Sequence, residues 1–81
     1  MKAQEIEIEM IRFLENNILA KGVKITADSA LRDVGIDSFS IVEIILFIER
    51  KYGFVIPDQH LVPDNFRSIK TIAAVVLSTN P

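Results

Sequence analysis

Hydrophobic residues recur along the first part of the chain with helical spacing. Ile6, Met10, Phe13 and Leu14 fall at i, i+4, i+7 and i+8, and Ile18 extends the stripe, so residues 3–19 read as a helix with one apolar face. Glu5, Glu7, Glu9 and Glu15 take the other faces, and acids early in a helix suit the positive end of its dipole. Asn16, Asn17 and Gly22 mark the exit. Residues 20–37 then lose all periodicity. Val23, Ile25, Leu31, Val34 and Ile36 are isolated apolar positions, which predicts a long ordered loop pinned to the core, with a short helical turn at residues 29–32. A loop this long in a small fold is usually functional.

Periodicity resumes after Asp37-Ser38, either of which can serve as N-cap. Residues 39–51 contain no Gly or Pro, and Val42, Ile45, Leu46 and Glu49 keep helical spacing. The β-branched run would also suit a buried strand, but a strand of that length is rare, so helix is predicted. Tyr52-Gly53 ends it, with Gly as a natural residue beyond the C-terminus. Phe54-Val55-Ile56 should be extended before Pro57, which can open a short third helix; Pro63-Asp64-Asn65 signals a turn. Ser68 is the expected N-cap of a last helix with Ile69, Ile72, Ala73, Val76 and Leu77 on its face, and residues 78–81 read as a frayed tail. The predicted fold class is all-α: a small antiparallel four-helix bundle, three long helices and one short, with a long first loop, forming one domain over residues 1–81.

Composition narrows the function. Nine basic against eleven acidic residues leave a net charge of −2, without the cationic surplus of a nucleic-acid binder. No Cys is present, so disulfides and thiolate metal sites are excluded, and His60 alone cannot build a multi-histidine site. Continuous apolar runs such as residues 44–48 are far short of the roughly 20 residues of a membrane span. The N-terminal residues carry no apolar signal segment, and a cytoplasmic location is expected. The second helix is more apolar than a half-buried helix requires: Phe39, Ile41, Val42, Ile44, Ile45, Leu46, Phe47 and Ile48 reach beyond one stripe. Its extra face either docks partners, lines an internal apolar space, or is simply buried in a small bundle.

The stretch Gly35-Ile36-Asp37-Ser38-Phe39, followed by Val42-Glu43-Ile44, resembles the attachment motif of acyl carrier proteins. Glu49, Tyr52 and Ile56-Pro57-Asp58 continue the likeness without a gap, and Asn65-Phe66-Arg67-Ser68-Ile69 is similar to the start of that family's last helix. An isolated Asp-Ser pair is an ordinary N-cap; the spaced set is specific. The resemblance implies that the chain is no enzyme. It implies that a separate phosphopantetheinyl transferase esterifies Ser38 with 4′-phosphopantetheine, whose thiol holds an acyl cargo as a thioester. Acyl-transferring or synthase enzymes of fatty-acid, lipid or polyketide-type biosynthesis would then be the partners, met by a monomer. Asp37 would present the site and approach the transferase's Mg²⁺, or serve only as a cap. Phe39, Glu43, Leu46 and Glu49 are the implied partner contacts, with no metal ligands.

The sequence also departs from that pattern. Phe39 stands where Leu is usual, Ser40 where an acid is common, and Arg50-Lys51 follow Glu49 in place of acids. Residues 37–58 hold four acids and two bases, a mild field, which suits a dedicated partner set rather than the standard one. Two other readings compete. An aminoacyl or peptidyl carrier differs only in cargo: the apolarity of the second helix favours acyl, whereas a closed, well-packed core favours aminoacyl. An unmodified helical adaptor would use Ser38 as a cap alone. An independent hydrolase or transferase is weaker still, for want of a His–Asp partner set around Ser38.

Overall fold

The computed structural model describes residues 2–79. Three α-helices carry the fold, α1 over Ala3–Asn17, α2 over Ser38–Tyr52 and α3 over Ile69–Thr79, with 3-10 turns at Leu31–Val34, Asp58–His60 and Pro63–Phe66. No strand occurs among the described residues, so the chain is a small all-α bundle as its periodicity predicts.

The core is a single apolar cluster fed by all three helices and by the loops between them. Ile6, Met10 and Leu14 come from α1, Ile44 and Ile48 from α2, and Ile69, Ile72, Ala73, Val75 and Val76 from α3. The long first loop contributes Ile25, Leu31 and Ile36, with Val23 and Val34 packed against them, as expected of a pinned loop. No polar side chain is buried among the described residues. Val75 widens the expected face of α3, while Lys70, Ala74 and Ser78 stay exposed on the opposite side. Phe13 and Phe47 stack at the edge of the core, with ring centroids 4.3 Å apart. This parallel-offset contact adds to the area the two rings bury.

Backbone bonds and caps explain where the elements stop. The predicted end of α1 at residue 19 is two residues late: the N–H groups of Ile18 and Leu19 both donate to the Leu14 carbonyl, which closes the last turn at Asn17. The helical turn expected at residues 29–32 lies at Leu31–Val34 instead. Ser29 is taken up in a preceding turn, where its Oγ accepts from Thr26 N–H at 2.9 Å. Gly35 ends the 3-10 turn at φ 91°, a left-handed conformation that side chains resist. At α2, Asp37 is the cap and Ser38 the first helical residue. Gly53 terminates the helix at φ 73°.

The short third helix is replaced by two 3-10 turns. Pro63 has no N–H to give the Gln59 carbonyl and its ring would clash there, so a helix starting at Asp58 cannot run on. Val62, just before that proline, is held extended at φ −120°, ψ 150°. Asn65 Nδ2 joins the two turns by donating to the His60 carbonyl at 2.8 Å. Ser68 caps α3 as predicted, its Oγ accepting from Thr71 N–H at 3.2 Å while Thr71 Oγ1 accepts from Ser68 N–H at 3.1 Å. Ser78 and Thr79, expected in the tail, belong to α3 instead; residues 80–81 lie outside the described residues.

Tyr52 closes the C-terminal end of α2 with its ring half-buried against the core. Its hydroxyl is buried without a hydrogen-bond partner. Burial, with Glu9 and then Glu5 nearby, holds the phenol above the ordinary tyrosine range, so it stays neutral. An unsatisfied buried hydroxyl is a cost, and removing it relieves that cost. Tyr52→Phe is therefore expected to be neutral or stabilising by up to about 1 kcal/mol in urea unfolding. A loss of stability would show that the hydroxyl has a partner after all.

Candidate functional site

The start of α2 is fixed from behind and open in front. Ile36 is buried, its N–H bonded to the Leu31 carbonyl at 3.1 Å, and it anchors the chain two residues before Ser38. Gly35 provides the reversal that brings Ile36 inward. Asp37 and Ser38 are then exposed. Asp37 Oδ1 accepts the Ser40 N–H at 3.0 Å, and the Asp37 carbonyl accepts the Ile41 N–H at 3.0 Å. These are the bonds of an N-cap, so the aspartate, not the serine, supplies that function.

Ser38 is thereby left free. Its hydroxyl makes no hydrogen bond among the described residues, and it stands at the first helical position, where backbone N–H groups lack acceptors within the helix. A phosphoryl group carried on this oxygen would lie near those N–H groups and the positive end of the helix dipole. The neighbouring Asp37 carboxylate is turned to Ser40, which limits its repulsion of such a group. The Ser40 N–H is the main cause that holds the Asp37 carboxyl below the ordinary aspartate range. No cluster of metal-ligating side chains occurs among the described residues.

The other candidate residues divide by face. Phe39 is 82% exposed, so the alternative that it covers the loop as a core residue fails. Val42 and Leu46 continue outward from it, 54% and 44% exposed. Ile44 and Ile48, by contrast, are buried, and Ile41, Ile45 and Phe47 lean on the core. The extra apolar face of α2 is thus a solvent-facing stripe, and the expectation of an all-round buried helix does not hold. Glu43 lies beside the stripe, exposed and without an ion-pair partner among the described residues. Glu49 is turned elsewhere: half-buried, its Oε2 accepts the Ile56 N–H at 3.0 Å and pins the extended segment to α2. Lys51 is also engaged, 3.1 Å from Glu9 on α1. His60 is half-buried in its 3-10 turn, away from any carboxylate cluster.

Sequence reasoning passed over Val42 and Arg50 as surface residues. The signal was available, because positions 39, 42, 46 and 50 are spaced three, four and four apart and so share one helical face.

Comparison with known proteins places this geometry. Residues 17–76 match the family model described as a phosphopantetheine attachment site. An aminoacyl carrier protein of Bradyrhizobium diazoefficiens is 37% identical over 65 residues, 80% of this chain and 70% of that protein. The acyl carrier protein of Rickettsia bellii is 36% identical over 76 residues, 93% of this chain and 83% of its own. In structure, the chain is similar to one in the crystal structure of Bradyrhizobium japonicum glycine:[carrier protein] ligase complexed with glycylated carrier protein. That likeness has a TM-score of 0.72 and 32% identity, covering 90% of this chain and 96% of the other.

The cap has a pH signature. A carboxyl whose pKa is lowered by folding adds stability that is complete above its unfolded value and is lost as pH falls through its folded value. The Ser40 amide resonance should therefore titrate with a midpoint below the ordinary aspartate range, and Asp37→Asn should abolish that titration while α2 persists. An unperturbed midpoint would remove the cap from this account.

Proposed function

The chain belongs to the family of phosphopantetheine-bearing carrier proteins, and from that premise we propose that it carries an amino acid as a thioester, on an arm attached at Ser38. It is a carrier, not an enzyme: it holds a substrate for other enzymes to act on. When attached, the arm supplies the thiol that this Cys-free chain lacks. Ser38 Oγ forms the bond to phosphorus, its proton passing to the transferase as the nucleotide part of coenzyme A leaves. Asp37 holds the first turn in place so that the oxygen is presented at a constant position. Phe39, Glu43 and Leu46 form the surface that partner enzymes meet, and Glu49 supports it from beneath through Ile56. The chain works as one discrete carrier unit in the cytoplasm.

The observation that carries the aminoacyl reading is the closed core. Ile44, Ile48, Ile72 and Val76 are at most 1% exposed, and no polar side chain interrupts them. Two hollows, of about 480 and 340 Å³, are open grooves, one between α1 and α2 beside Phe13 and Phe47 and the other at the C-terminal end of α2. A medium acyl chain gains roughly 0.8 kcal/mol per methylene only if an apolar space receives it. A small amino acid needs no such space. The aminoacyl carrier relatives and the glycylated structural neighbour support the same cargo class. Of the eight apolar residues of α2 that favour an acyl cargo on sequence alone, Phe39, Val42 and Leu46 face solvent instead. The acyl carrier of Rickettsia bellii, alike over more of the chain, keeps the acyl reading as the alternative.

A broad-specificity phosphopantetheinyl transferase with Mg²⁺ and coenzyme A should add one phosphopantetheine to the wild type and none to Ser38→Ala, by intact mass. Loading from octanoyl-coenzyme A then separates the cargo classes. The methyl resonances of Ile44, Ile48, Ile72 and Val76 should match those of the unacylated holo protein. Shifts in these methyls with a raised melting temperature would show the chain entering the core and return the acyl reading.

A further inference from the structure

Attachment of the arm needs an oxygen that returns to one place, yet the Ser38 hydroxyl makes no hydrogen bond among the described residues. Its position comes from the backbone before it. Ile36 N–H donates to the Leu31 carbonyl at 3.1 Å, and Leu31 N–H donates to the Arg67 carbonyl at 2.9 Å. Lys70 N–H reaches back to the Ala27 carbonyl, also at 2.9 Å. Both ties from the first loop therefore end on residues 67–70, and the loop is only as well placed as that stretch. The ion pairs beside it, Arg67 with Asp64 and Lys70 with Asp28, are highly exposed and add little.

Phe66 and Ile69 bury the stretch against the core, but its backbone register is closed by one hydroxyl. Thr71 is half-buried at the third position of α3, and its Oγ1 accepts the Ser68 N–H at 3.1 Å. The same oxygen lies 3.0 Å from the Asn65 carbonyl and 2.9 Å from the Ser68 carbonyl, and its single proton can go to either. The Ser68 carbonyl already accepts the Ile72 N–H at 3.1 Å, whereas the Asn65 carbonyl has no other donor among the described residues. Donation to Asn65 thus satisfies one more backbone group. It also joins the last 3-10 turn to the cap of α3, with Arg67 held between them. A capping box ordinarily has Glu or Gln at this position. A glutamate can accept from Ser68 but has no proton for Asn65, so the second bond is open to threonine and not to glutamate.

We propose that Thr71 is a positioning residue for the modification of Ser38: its hydroxyl fixes residues 65–70, these fix the loop at Ala27 and Leu31, and the loop delivers the serine. The inference rests on Ser38 being the attachment site. Thr71 belongs to the cap of α3 and contributes nothing to the exposed face of α2. Its loss should therefore change how often the docked serine is in place, not how tightly the carrier docks.

The experiment is steady-state modification of the apo protein by the broad-specificity transferase with Mg²⁺ and coenzyme A, read by intact mass, with amide exchange measured by NMR on the same samples. Thr71→Val removes the hydroxyl and keeps the shape. It should lower kcat roughly tenfold with KM for the carrier within about twofold of wild type, given that a misplacement of about 1 Å can cost on the order of a hundredfold. The Leu31 and Lys70 amides should exchange about tenfold faster, because their surroundings are no longer held. Thr71→Ser keeps the hydroxyl and should restore both readouts. Thr71→Glu keeps the bond to Ser68 and hence the cap, so it folds even if Thr71→Val does not, and it should lower kcat about fivefold. Ala74→Gly, an exposed change within the same helix, should lower the melting temperature with kcat unchanged, which separates positioning from loss of stability. A kcat for Thr71→Glu within about twofold of wild type would overturn the proposal, as would an equal fall in Ala74→Gly. No mass gain in the wild type would overturn the reading of Ser38 and this inference with it. Wild-type rates in the Thr71 variants, with their amides exchanging faster, would remove this inference alone.

Discussion

Two backbone hydrogen bonds hold the long first loop in register with the start of α3. Leu31 N–H donates to the Arg67 carbonyl and Lys70 N–H to the Ala27 carbonyl, each at 2.9 Å. Residues 27–31 and 67–70 are thereby tied together from opposite ends of the sequence. Loops remain ordered inside a fold only when their backbone groups find partners, and these bonds supply them at the point where the chain turns inward. Leu31 and Ile36 then fill the core on either side of Gly35. At the other end of the loop, Glu15 Oε2 accepts the Ile25 N–H at 3.3 Å. The serine at the head of α2 owes its fixed position to this fastening, since nothing holds its own side chain.

α2 has to satisfy opposite demands with one sequence. Its inner face, Ile44 and Ile48, is wholly buried, and a small domain cannot spare such residues from a modest core. Its outer face must stay open to enzymes. Both faces are apolar, so composition does not distinguish them; the separation comes from angle. Residues 39, 42, 46 and 50 point one way, while 41, 44, 45 and 48 point the other. The acids and bases of the helix are divided in the same manner. Glu49 and Lys51 are spent on holding the bundle together, whereas Glu43 and Arg50 are exposed and make no ion pair among the described residues.

Much of this was legible before the coordinates, and the rest failed for physical reasons. The helical periods of α1 and α3 were clear because each buries a single face. The end of α2 was clear because Gly53 adopts a conformation that few other residues tolerate. Ser38 was legible through a spaced pattern rather than through its own chemistry. The choice of cap between Asp37 and Ser38 was not, since both side chains accept the same bond and only the register of the first turn decides. A short third helix was expected from Pro57 because proline is a good helix opener. The second proline, six residues on, is what breaks it. Glu49 was read as a partner contact from the family resemblance; its bond to Ile56 was not legible, because it depends on a chain reversal that no local pattern encodes.

The proposed cargo class rests on the same packing that positions the serine. A carrier that hides a long chain must open its core during each cycle, which requires a core whose closed state is only slightly preferred. Here the residues that α2 and α3 give to the core, Ile44, Ile48, Ile72 and Val76, are branched and at most 1% exposed, with no buried polar residue beside them. Cores of this kind resist expansion, because each added methylene forces neighbours from their preferred rotamers. A short polar cargo avoids that cost by remaining in solvent at the end of its arm. The carrier then needs no change of shape, and recognition passes to the outer face of α2. The exposure of Phe39, Val42 and Leu46, awkward for a solitary domain, is what a carrier with a closed core and an external cargo requires.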